Sequence, residues 1–145
     1  MSGIEIIQHQ DQVFAYLIRA TVSPAETQFF TPEQENLQVG FVVYPQGGEV
    51  VPHTHKRFQR TVEGTAEVLL VRKGHCFMDI FHDDQRLFTT RELHAGDTVL
   101  LISGGHGFRM IEDTTFLEVK QGPYTGIQEK DRFHPDPSIY DSSET

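Results

Sequence analysis

The chain alternates between short runs of apolar and β-branched residues and short polar interruptions. VFAYLIRA, LQVGFVVY, AEVLLV, CFMDIF, RLFTTREL, DTVLLI, HGFRMI and TFLEVK follow one another from Val13 to Lys120. Runs this short and this rich in Val, Ile, Phe, Leu and Thr predict strands. PQGG, RKG, HDDQ, HAGD, SGG and EDT lie between them and supply turn residues. Many short strands at this spacing predict an antiparallel barrel or sandwich. Ser23-Pro24-Ala25-Glu26 and Thr31-Pro32-Glu33-Gln34 have the grammar of a helix start. Neither opens a run of period 3.6, so the expectation is all-β with at most short helical turns.

At 145 residues the chain fits one domain, long enough to bury a core without disulfides. No internal repeat or interdomain linker interrupts it. We expect a single domain over 1–133, with N-terminal strands in 1–46 and the barrel core in 47–120. The segment 134–145, HPDPSIYDSSET, reads as a surface tail or arm whose Ile139 and Tyr140 could dock on a neighbouring subunit. Cys76, the one cysteine, excludes an intramolecular disulfide and reads as a small buried apolar residue.

Charge and hydropathy narrow the partners. A formal net charge of −9 repels a phosphate backbone and argues against nucleic acid. No apolar run approaches the roughly 20 residues that span a bilayer. The start, MSGIEIIQHQDQ, has neither the basic nor the apolar region of a signal peptide, so the expectation is a cytoplasmic protein with no membrane partner.

The candidate chemistry lies in the histidines. His53 and His55 stand two apart in VVPHTHK, and on a strand both side chains would point to one face and could reach one ion. Gly96-Asp97 opens the run DTVLLI, which ends in Ser103-Gly104-Gly105. Positive φ at those glycines would turn His106 back toward the interior, on a face shared with Phe108 and Met110. An acid is a common companion to imidazoles in a site of nitrogen and oxygen donors. Glu67 is the candidate, because it shares a strand face with Leu69 and Val71, where an uncompensated carboxylate is costly. Glu63 and Gln59 are alternatives for the fourth ligand. His9, His75, His82, His94 and His134 read as solvated surface groups.

These segments resemble the two motifs of the cupin family. Gly47, five residues, then His53-Thr54-His55 match the opening of the first motif, and Glu67, six residues, then Gly74 match its close. Eleven residues separate His55 from Glu67, where the family has three or four. Gly96, five residues, Ile102, Ser103, Gly104 and His106 resemble the second motif, with Ile102 in place of its proline and no closing asparagine. LEVKQGPYTGIQEKDRF and GTAEV are similar to the cupin domain of type II mannose-6-phosphate isomerases. The resemblance implies a cupin, a double-stranded β-helix or jelly-roll barrel. It implies one divalent metal ion, Fe, Mn, Ni, Zn or Cu, held by His53, His55, Glu67 and His106, and a homodimer.

What that barrel would do is left to its site. Three imidazoles and a carboxylate leave open positions where a metal can polarise a substrate oxygen. Glu118 and Lys120 alternate in TFLEVKQG, and if their face looks inward they form a catalytic acid–base pair. The leading expectation is isomerase- or epimerase-type proton transfer on a small polar, carbohydrate-related metabolite. An Fe(II)-dependent dioxygenase and a non-catalytic small-ligand-binding barrel are the alternatives.

Overall fold

Which way each strand faces follows from its alternation. The computed structural model describes residues 2–126 and 129–143. In β5 (Glu67–Lys73), Glu67, Leu69 and Val71 are buried, with half-buried Val68 and Leu70 between them. In β6 (His75–Phe81), Cys76, Met78 and Ile80 are fully enclosed. Burial in β5 has period two, whereas in β6 Asp79 and Phe81 on the opposite face are buried as well; in both strands one face meets a common core.

Those faces belong to two antiparallel sheets. The larger joins β1 (Ile4–His9), β2 (Gln12–Ile18), β8 (Thr98–Leu101), β5 and β10 (Thr115–Lys120), in that order. The smaller joins β7 (Leu87–His94), β6 and β9 (Gly105–Met110). Phe14, Leu17, Leu69, Val99 and Leu101 from the first sheet form one cluster with Cys76, Met78, Ile80 and Leu93 from the second. From β5 the chain crosses to the small sheet for the β6–β7 hairpin, returns for β8, crosses again for β9 and comes back for β10, an order consistent with a jelly roll. The all-β expectation holds, as a two-sheet sandwich rather than a closed barrel.

One side of the sandwich is clasped and the other is open. On the clasped side Arg91 of β7 donates to both Glu5 oxygens on β1, from Nε at 2.9 and 3.1 Å and from Nη2 at 2.6 Å. On the open side β9 and β10 each end a sheet. The outer face of the large sheet is covered by Leu37 and Val39, packed on Tyr16, Leu100 and Val68. The short hairpin β3 (Gln28–Phe29) and β4 (Gly40–Phe41) lies in this same part of the chain.

Three expectations change. LQVGFVVY pairs only at Gly40–Phe41; Leu37 and Val39 pack instead on the outer face of the large sheet. Neither proline-led helix start forms a helix; both segments are turns and bends. The C-terminal segment contains a 3-10 helix, Pro137–Ser143, and it folds back on its own chain. The Tyr140 ring lies 3.9 Å from the guanidinium carbon of Arg109. Glu144 and Thr145, the end of the expected tail, lie outside the described residues. Among the described residues no helix is long and apolar enough to cross a membrane.

Candidate functional site

The β8–β9 turn delivers His106 as its glycines predict. Gly104 has φ +72°, and a Cβ there would stand 2.6 Å from both the Phe14 ring and the Phe81 carbonyl. Only glycine fits both the conformation and the space. In register, His106 lies opposite Ile80 and Phe108 opposite Met78, so His106 shares the core-facing side of β9. Glu67 reaches the same place from β5, opposite Leu101. His106 Nε2 stands 3.2 Å from Glu67 Oε2, with 31% of the imidazole side chain and 7% of the carboxylate side chain exposed. Burial lowers the imidazole's pKa below its ordinary 6.5, aided by the charge of Lys130, while Glu67 pulls it upward. The net direction favours neutral imidazole at pH 7.

A cleft of about 530 Å³ opens at this pair and wraps around the edge of β9. Gly105 and Gly107 put no side chain on the outer face of that strand ahead of Arg109, and the Phe133 ring stands 3.3 Å from where a Gly105 Cβ would be. Under the C-terminal arm, Asp79 is 1% exposed and takes a fork from Arg109, Nε to Oδ2 at 2.7 Å and Nη2 to Oδ1 at 2.9 Å. Thr90 donates to the same carboxylate at 2.6 Å. Arg109 is held flat between Asp79 and the Tyr140 ring. Lys130, Arg132 and His134 line the cleft beside Phe81 and Phe133. The lining therefore combines aromatic faces with groups that hydrogen-bond or carry charge, which suits a small polar ligand.

The remaining sequence candidates divide. Glu118 and Lys120 pair in register with Leu69 and Glu67, so their strand face is the inward one. Glu118 acts on the His106 charge across the opening. Lys120 is drawn toward Glu129, 3.9 Å away, and its ammonium stands 5.4 Å from the Tyr124 ring. His53 and His55 are exposed, in a stretch without regular structure. Their rings meet edge to face at 5.1 Å, and His53 Nδ1 lies 2.9 Å from the Val51 carbonyl oxygen. Glu63 and Gln59 lie on the same exposed stretch. Within one chain the structure thus unites Glu67 with His106 and leaves His53 and His55 apart from them.

Of the other histidines, His9, His94 and His134 are exposed as expected, while His75 and His82 are half-buried. His9 and His82 pack edge-on against Phe88. His75, Glu92 and His94 gather on the outer face of the small sheet, with one ligand atom from each within 4.8 Å of the others. His75 Nε2 is 2.5 Å from Glu92 Oε1, and the two imidazoles stack at 4.3 Å. This group could hold a metal ion. Cross-strand register creates it, His75 lying opposite His94, and sequence spacing carries no trace of that.

Compared with protein-family models, with curated proteins and with solved structures, the chain finds no match in any of the three. The class is therefore defined by fold and site. It is an antiparallel jelly-roll sandwich with a carboxylate–imidazole cleft at its open side.

Proposed function

We propose that the chain is a cupin-type enzyme that moves a proton on a small polar, carbohydrate-related metabolite bound in this cleft. The Glu67–His106 pair carries the reading: a neutral imidazole and a buried carboxylate at 3.2 Å form a unit that can accept a proton and store it. His106 takes a substrate proton at Nδ1 while its Nε2–H donates to Glu67 Oε2, whose charge offsets the imidazolium. Arg109, Lys130 and Arg132 would orient acidic or hydroxyl groups of the ligand, and the Phe81 and Phe133 rings would face its carbon skeleton. Glu118 and Lys120, on the inward face of β10, are a second acid and base at the mouth.

A divalent ion, when bound, would polarise a substrate oxygen as a Lewis acid. Neighbouring donors that are each about 2.1 Å from one ion lie about 3 Å apart, and Glu67 and His106 fit that spacing. They are two of the four ligands such a site calls for, with His53 and His55 the other candidates; with an ion held there the His106 lone pair would be occupied, and Glu118 and Lys120 would be the groups left to move the proton.

The test is solvent isotope exchange. Hexose phosphates and nucleotide sugars are incubated with the protein in deuterium oxide, and loss of carbon-bound hydrogen is followed by NMR. Exchange is expected with wild type, slowed by about 100-fold or more in His106→Asn and Glu67→Gln and unchanged in the surface control Arg86→Ala. Equal exchange in wild type and the two site variants would remove the assignment.

The second reading, an Fe(II) dioxygenase, draws on His75, Glu92 and His94, since two imidazoles and one carboxylate are the donor set of many Fe(II) oxygenases. Oxygen uptake after anaerobic loading with Fe(II), abolished by His94→Ala, would favour it.

A further inference from the structure

At one end of the small sheet, β6 and β7 bring together three side chains that bind metals, none of which lines the cleft. Alternation along β7 puts Glu92 and His94 on one strand face, and the register sets His75 of β6 opposite His94. That face is the outer one, because Cys76, next to His75, and Leu93, between Glu92 and His94, both enter the core. Each of the three residues is also held by a backbone bond outside the β6–β7 ladder. Arg19 Nη1 donates to the Glu92 carbonyl at 2.7 Å. The His94 amide donates to Asp97 Oδ2 at 3.0 Å, and the Asp97 amide returns a bond to the His94 carbonyl at 3.0 Å. The amides of Ile111 and Glu112 donate to the His75 carbonyl at 2.9 and 3.1 Å. Donors carried on pinned strands keep their places relative to one another, as the ligands of an ion must.

The side chains favour an ion over a simple pair. Both Nε2 atoms address one oxygen, Glu92 Oε1, from 2.5 Å for His75 and 3.7 Å for His94. A hydrogen bond to Glu92 accounts for one imidazole only. The second stacks on the first, its ring 18° from parallel, and turns its Nε2 to the same oxygen although 60% of its side chain is open to water. Ligands that share one ion at about 2.1 Å lie about 3 Å apart. The two nitrogen–oxygen separations straddle that spacing, and the half-exposed Glu92 side chain can turn about its own bonds to even them. Arg19, the cation beside this group, is paired with Asp97 at 2.9 Å and leaves the Glu92 carboxylate to the imidazoles. A concavity of about 420 Å³ opens next to Glu92 and His94. It has room for the water that completes a site with three protein ligands.

We propose that His75, Glu92 and His94 bind a divalent ion of the zinc class, which ties the first residue of β6 to the last residue of β7. Two imidazoles and one carboxylate suit Zn²⁺, Co²⁺ and their neighbours, whereas Mg²⁺ and Ca²⁺ prefer oxygen donors. The β6–β7 hairpin is closed at its other end by the turn in which the His82 amide donates to the Arg86 carbonyl and the Gln85 amide to the His82 carbonyl. The ion spans the open end and stabilises the small sheet as its concentration rises. This is a role in the fold, distinct from oxygen chemistry at the same donors. It needs nothing from Glu67 or His106, so it stands or falls apart from proton transfer in the cleft.

The test uses the full chain carrying Glu67→Gln and His106→Asn, so that the cleft pair contributes no ligands, with Co²⁺ as probe. This parent is expected to retain about one Co²⁺ per chain in equilibrium dialysis, to release it to Zn²⁺ and to keep it in excess Mg²⁺. Adding His94→Ala is expected to weaken binding by about 10-fold or more. Adding His94→Cys instead is expected to preserve binding and to produce a near-ultraviolet thiolate-to-cobalt absorption, which arises only if residue 94 touches the ion. Cys76, enclosed in the core, is present in the parent too, which therefore serves as the blank. Zn²⁺ is expected to raise the unfolding midpoint of the parent progressively with concentration and to leave that of the His94→Ala chain in place. A parent that binds no Co²⁺, equal binding with and without His94→Ala, or a His94→Cys chain lacking that absorption overturns the site. A parent whose unfolding midpoint ignores Zn²⁺ overturns its role in the fold.

Discussion

At the residue scale, the site depends on a few positions that tolerate no change of shape. Gly104 is one, because its left-handed backbone and its contact with Phe14 both reject a side chain. Gly104→Ala is expected to cost at least about 1–2 kcal/mol from the backbone alone. The measurement is a lower midpoint in thermal unfolding, with loss of the isotope exchange that needs His106. Cys76 is the opposite case, a residue of chemical interest made inert by its place. Burial pushes its thiol above the ordinary 9.0, and the charge of Asp97 adds to the shift. A raised thiol pKa means less thiolate at every pH below it, so the native chain is expected to react slowly with a disulfide reagent at pH 8. The unfolded chain should react at the normal rate. Equal rates would contradict the enclosed position.

At the element scale, the clasp between β1 and β7 is where charge contributes to stability. The Arg91 hydrogen bonds hold Glu5 below its ordinary 4.5, with burial opposing them. A lowered carboxylate pKa stabilises the fold above pH 4.5, and that contribution disappears as the pH falls through the lowered value. Both side chains are partly exposed, 30% for Arg91 and 40% for Glu5, so the contribution is about 0.5–1 kcal/mol. Arg91→Ala is expected to lower the unfolding midpoint at pH 7, and the gap from wild type should close on acidification below pH 4.5. A gap that stays constant to pH 3 would show that Arg91 acts through packing or through its bonds to Thr89 and Thr90 instead.

The strands also show what the amino-acid order encodes. β2, β5, β6, β7, β8, β9 and β10 were legible because each is a short apolar run ending at turn residues. Glu67 was legible because a carboxylate on an apolar face needs a partner. The same reasoning applied to Asp79, alone in CFMDIF, would have found the Arg109 fork. What hid the rest is contact between distant positions. Pairing of His75 with His94 depends on β6–β7 register, and the approach of Lys130 and Arg132 depends on where the arm folds. LQVGFVVY has a strand's composition, but only Gly40–Phe41 finds a strand partner, and composition does not reveal how much of a run will be paired.

At the scale of the whole molecule, the core and the cleft rest on different parts of the chain. The enclosed cluster is built from β1, β2 and β5–β8. The cleft also needs β9 and the residues after β10, with Tyr140 stacked on Arg109 as part of its wall. A chain ending at Arg132 is expected to unfold within a few degrees of the full chain, since it loses no member of the central cluster. Its isotope exchange should be impaired. A large drop in unfolding midpoint would show that the arm supports the sandwich itself. The location of this wall has a practical side. A protease that nicks the last exposed stretch would leave a protein that still purifies, folds and looks intact by size, yet has lost the shape of its pocket. In such a preparation, catalysis fails before conformation does.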